Sequence, residues 1–118
     1  VKSAAVLVAV LLTFGACSKE AASYPDAEAL SRALVDGGVG CASLSPGEGA
    51  DLIREHASCT GVDLDLYLFD SESDRDDWLK LGARIRATTV GPNWVITGET
   101  ETVERAAEAL DAELDEPS

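Results

Sequence analysis

The chain has few of the residues that build the commoner catalytic and metal centres. Its 118 residues include one histidine, His56, three cysteines, two tryptophans, two tyrosines, two phenylalanines and no methionine. A structural zinc site takes four Cys or His ligands, and around His56-x-x-Cys59 no such set can be completed. Basic residues are also scarce, with 9 Lys and Arg against 22 Asp and Glu and a formal net charge of −13. Such a surface repels nucleic acid and anionic headgroups, which argues against a nucleic-acid partner; it reads first as a solvated acidic surface that favours solubility, with a cationic partner as the alternative. Gly37-Gly38-Val39-Gly40 and Gly47-Glu48-Gly49 lack the spacing and the lysine of a phosphate loop. No serine stands in a nucleophile elbow. Neither a cofactor nor a metal is expected.

What is present is concentrated at the start. Lys2 is followed by Ala4 to Phe14, apolar except for Thr13. That run of about 11 residues has the length of a signal h-region. As a helix it would span roughly 16 Å, short of the ~20 apolar residues a permanent span needs. It is apolar all round, unlike a core helix with a polar stripe. Val1 stands where an initiator methionine would, as a literally translated GTG codon or a truncated gene model would give.

Phe14-Gly15-Ala16-Cys17 resembles the lipobox of bacterial lipoproteins, with Phe14 in place of the usual leucine. The resemblance implies cleavage after Ala16 and a diacylglyceryl thioether on Cys17. It also implies a location on the extracytoplasmic face of the cell membrane. Two acyl chains anchor stably where one is marginal. The expected organisation is a signal peptide over 1–16, the lipidated cysteine and a tether over 17–23, one domain over 24–115 and a tail over 116–118. Losing Lys2 with the signal makes the mature chain one unit more negative. With Cys17 lipidated, Cys41 and Cys59 remain as a pair, and in an exported protein such a pair is expected to form a disulfide.

The domain reads as a small two-layer α+β sandwich: an antiparallel sheet of short strands with about three helices. A helix opens at Pro25-Asp26, buries Leu30, Ala33 and Leu34, and stops at Gly37-Gly38. An extended segment over 39–44 holds Cys41. Strands over 55–59 and 62–69 flank Thr60-Gly61 as a hairpin, and alternation from Val62 to Leu68 marks the second as half-buried. Ser71 and Asp74 fit a capping box for a helix carrying Trp78, Leu81 and Ile85. Strands over 88–90 and 94–97 flank Gly91-Pro92-Asn93. Thr100 is expected to cap a last helix with the stripe Val103, Ala106, Ala107, Leu110 and Leu114.

Cys41, Cys59, Phe69-Asp70 and Gly91-x-Asn93-Trp94-Val95 resemble the pattern of small secreted actinobacterial lipoproteins of uncharacterised function. The composition, rich in Ala, Gly, Val, Asp, Glu and Arg, resembles that of high-GC actinobacteria. The resemblance implies a disulfide-stapled envelope domain and brings no catalytic residue.

Three candidates remain. Asp70, Glu72 and Asp74 have calcium-loop spacing, but Arg75 and Leu81 stand where Gly and a bidentate Glu are required. A helix start explains these acids instead. His56 is a candidate binding residue, or a general base if Asp63 or Asp65 orients it and Ser58 or Ser43 lies near. Trp78 and Trp94 are both expected as core anchors; Trp94, after a proline turn, is also a candidate for a partly exposed binding patch. The preferred expectation is a lipid-anchored, non-catalytic module that binds an envelope protein. The alternative is a small envelope hydrolase or ligand carrier with its site around His56.

Overall fold

A computed structural model of the chain describes residues 21–81 and 86–115. Cys17 and its signal lie outside the described residues, as does Ile85. The elements in order are α1 (Ala27–Asp36), β1 (Leu44–Pro46), β2 (Glu55–Cys59), β3 (Leu64–Leu68), α2 (Glu72–Lys80), β4 (Ala87–Val90), β5 (Trp94–Gly98), α3 (Thr100–Ala109) and β6 (Leu114–Asp115). The strands form one antiparallel sheet in the order β1-β2-β3-β5-β4-β6.

Two hairpins, β2–β3 and β4–β5, meet at a central β3–β5 seam in which Leu66 faces Ile96. Each seam strand is also the start of a crossover: β3 passes through α2 to β4, and β5 passes through α3 to β6. The two crossovers move the same way across the sheet from antiparallel starts. If both are right-handed, their helices must lie on opposite faces. They do: α3 packs with α1 on the core face, and Trp78 of α2 lies over Tyr67 on the other.

Strand alternation builds the core. Ala57 and Cys59 of β2, Leu64, Leu66 and Leu68 of β3, Ala87 of β4, and Trp94 and Ile96 of β5 point to one face. They meet Leu30 and Leu34 of α1 and Val103, Ala106 and Leu110 of α3. The disulfide Cys41–Cys59, with Cα atoms 5.0 Å apart, joins the segment after α1 to the end of β2. Pro46 sits in β1 at the sheet edge, where a missing N–H costs no ladder bond.

The helix ends explain where the sequence reading held. Asp26 caps α1 by accepting from the Ala29 N–H at 2.8 Å, and Ser71 caps α2 by accepting from the Asp74 N–H at 3.0 Å. After α1 the Val39 N–H reaches the Leu34 carbonyl and the Gly38 N–H reaches the Val35 carbonyl, both at 2.9 Å. This is a Schellman stop with Gly38 at φ 93°. After α3 the same pair of bonds recurs from Ala112 to Ala107 at 2.9 Å and from Asp111 to Glu108 at 3.4 Å. Here Asp111 takes the left-handed position at φ 58°.

That second stop corrects the last-helix reading, because Leu114 lies beyond it in β6 and not on the helical stripe. Thr100 is likewise the first helical residue and not the cap. Glu99 holds the cap position without a side-chain bond to the backbone, and its carboxylate accepts from the Thr102 hydroxyl at 3.1 Å.

Candidate functional site

The β2–β3 register gathers the polar candidates on the sheet face away from the core. His56 lies directly opposite Tyr67, and Ser58 directly opposite Asp65, so all four side chains share one face. His56 and Asp65 are then diagonal neighbours, within reach across the pair. The imidazole Nε2 is 3.3 Å from Asp65 Oδ1. The Ser58 hydroxyl donates to that same oxygen at 2.7 Å. On the other side of the ring, Nδ1 is 3.3 Å from the Glu48 carbonyl oxygen. Both ring nitrogens thus face acceptors.

The ring has little free surface. It stacks on Tyr67 with centroids 4.4 Å apart and planes inclined by 12°. Tyr67 in turn packs on Trp78 at 4.5 Å. Gly47 closes the opposite side: a Cβ there would come within 2.4 Å of the imidazole. Burial and the Asp65 charge push the Tyr67 phenol above its ordinary value, against a hydrogen bond to Thr97 and the Arg86 charge, which pull it down. Arg86 pairs with Asp63 and places its other amino group 3.7 Å from Asp65.

Of the two carboxylates expected near His56, the fold therefore brings Asp65 and not Asp63. Serine nucleophile chemistry needs the hydroxyl to donate to the imidazole. Ser58 donates to the carboxylate instead. Ser43 lies at the far end of this strand pair, where its carbonyl accepts from the Thr60 N–H at 2.9 Å.

The two tryptophans, both expected in the core, part company. Trp94 is fully buried, so its core reading holds and the alternative of an exposed Trp94 binding patch is corrected. Its ring lies over Gly91, where a Cβ would fall 2.0 Å away, and its indole N–H donates to the Ala22 carbonyl at 2.8 Å. Trp78 is half-buried on α2, a helix with no buried residue, and Leu81 beside it is exposed. A stripe of Trp and Leu at helical spacing looks like a core face. The acidic remainder of α2 keeps the helix on the surface, where Trp78 covers Tyr67 and Phe69.

One feature was not foreseen from the sequence. A cleft of about 590 Å³ lies between α2, the β4–β5 turn and the segment from Asp111 to Asp115. Leu79, Val90, Pro92, Ala112 and Leu114 give it an apolar lining, and Glu72, Asp76, Asp111, Glu113 and Asp115 give it carboxylates. Arg75 is the only basic residue among the described residues of the lining. Its guanidinium donates to the Gly91 and Pro92 carbonyls at 2.7 and 3.0 Å and to Asp76 at 2.8 and 3.0 Å. The cleft adjoins β6, the last strand of the sheet. Its residues are scattered over four segments, so no local motif announces it.

Among the described residues no group of three or more His, Cys, Asp or Glu could hold a metal ion, and no helix is long and apolar enough to cross a membrane. No protein-family model, no curated protein and no solved structure matches this chain.

Proposed function

We propose that this chain is a lipid-anchored protein on the extracytoplasmic face of a bacterial cell membrane, and that its domain is a non-catalytic module binding an envelope protein. The anchor rests on the apolar run closed by Gly15-Ala16-Cys17. The observation that carries the non-catalytic reading is the connectivity at Asp65. His56 and Ser58 converge on one carboxylate oxygen, and the imidazole is held between Tyr67 and Gly47. This is a structural polar network filling a sheet face. The alternative, a small hydrolase or ligand carrier around His56, draws on the same His56–Asp65 contact, but there the ring is packed between Tyr67 and Gly47.

The cleft beside β6 supports the binding reading. Apolar walls rimmed by carboxylates suit a basic segment of a partner protein, and the net charge of −13 steers such a partner in. The test has two parts. Cys17→Ser should move the protein from the detergent to the aqueous phase; unchanged membrane retention sinks the anchor. Photo-crosslinking in the native envelope should then capture a partner that Glu113→Lys loses and His56→Ala keeps. Loss with His56→Ala alone would favour the alternative.

A further inference from the structure

The start of the described chain is fastened to one end of the sheet. Asn93 uses both halves of its amide on a single residue. Its Nδ2 donates to the Tyr24 carbonyl at 2.7 Å and its Oδ1 accepts from the Tyr24 N–H at 3.0 Å. Two residues earlier, the Ala22 carbonyl accepts from the buried Trp94 indole. Next comes the α1 start, where the Ala27 N–H donates to Glu55 at 2.9 Å and the Pro25 carbonyl accepts from Arg54 at 2.6 Å. These contacts lie at the same end, because Trp94 is in register with Leu68 and Leu68 with Glu55. The opposite end carries Gly98 and Leu64 and the start of α3.

The geometry points to Asn93 and Trp94 as a latch that turns this end of the domain toward the bilayer, so that the far end, with the start of α3, projects away from it. The inference rests on the Cys17 anchor proposed above. Ala22 stands five positions after Cys17, a reach of at most about 18 Å. The strands are about 17 Å long. With the tether fixed at one end of the sheet, the far end can reach the bilayer only when the tether is almost fully extended, so the latched end faces it in most arrangements. If it were free from Ala22 to Asp26, the reach would roughly double and the domain could tumble. An acidic surface gives the domain no attraction to anionic lipid that would lay it flat. The orientation then comes from the latch, making Asn93 and Trp94 positioning residues for the membrane.

The test uses the full lipidated chain in phosphatidylcholine vesicles containing a headgroup nitroxide lipid. A fluorophore is placed at Ser73→Cys, in the first turn of α2 at the latched end, or at Thr100→Cys, at the far end. Quenching should be at least threefold stronger at residue 73 than at residue 100, and Asn93→Ala should bring the two together. Equal quenching in the parent, or stronger quenching at residue 100, overturns the orientation.

The latch is read separately on the soluble full-length Cys17→Ser chain, which needs no membrane. There the Tyr24 amide should exchange at least tenfold more slowly than in Cys17→Ser/Asn93→Ala. Unprotected exchange overturns the latch even if Asn93→Ala proves too unstable to compare. A parent chain that partitions into the aqueous phase with Tyr24 still protected overturns the orientation through the anchor reading, not through the latch.

Discussion

Replacing both cysteines of the Cys41–Cys59 bridge with alanine should lower stability by about 3 kcal/mol. The bridge closes a loop over a sequence separation of 18. Chain-entropy loss for a loop of that size is about 11 cal/mol/K, or ~3 kcal/mol at 25 °C. For a domain of this size that corresponds to a fall of about 15 °C in Tm. Both residues are buried, Cys41 fully and Cys59 to within 6 %. Alanine is therefore the right replacement, since serine would add the cost of burying a hydroxyl.

The loss should also have a place in the fold. The bridge secures the segment leading into β1, a three-residue edge strand with exposed Ser45 and Pro46. In the double variant β1 amides should exchange first, while those of the β3–β5 seam keep their protection until global unfolding. Thermal melts followed by circular dichroism, together with amide exchange, measure both effects. Intact mass should rise by two hydrogens on reduction of the parent. A Tm change below about 4 °C would refute the loop-entropy argument, and β1 exchange no faster than in the parent would refute the local one.

Two further outcomes follow from single contacts. Gly98→Ala should destabilise by at least about 2 kcal/mol in a urea melt, because its Cβ would fall 2.0 Å from the Asp63 carbonyl oxygen; a neutral variant would refute this close strand approach. Tyr67 holds its proton more tightly folded than unfolded, chiefly through burial and then through Asp65. Its contribution is therefore complete below the ordinary tyrosine range, about pH 10, and is lost as pH rises through the higher folded value. Tyr67→Phe should flatten the alkaline arm of the stability profile, and an unchanged arm would show that another group sets it.

Much of the fold was legible because local chemistry and tertiary demand agree. Val62 to Leu68 alternates, and β3 buries Leu64, Leu66 and Leu68. Asp26, Ser71 and Gly37-Gly38 mark helix ends by capping chemistry that any context would use. Leu114 was misplaced because a four-residue step from Leu110 continues a helical stripe. Only the left-handed Asp111, a conformation usually left to glycine, ends it. Trp78 misled for a related reason: spacing reports which residues share a helix face, not whether anything covers that face. At the candidate site, His56, Ser58 and Asp65 were each visible. Which of them bonds to which depends on strand register, and hairpin spacing alone leaves that open. The cleft draws on four separated segments and leaves no local trace.

The central seam has a consequence for how the chain reaches this structure. Its two flanking hairpins close over short loops, whereas Leu66 and Ile96, paired at the middle of the seam, are about thirty residues apart in sequence. Loop-closure entropy therefore favours β2–β3 and β4–β5 as early, separately formed units. Their docking along β3–β5 brings both crossover helices over their faces and completes the core in one late step. Until then each hairpin presents an open edge, so the interval before docking is when this otherwise strongly self-repelling chain is most exposed to mispairing with a second copy.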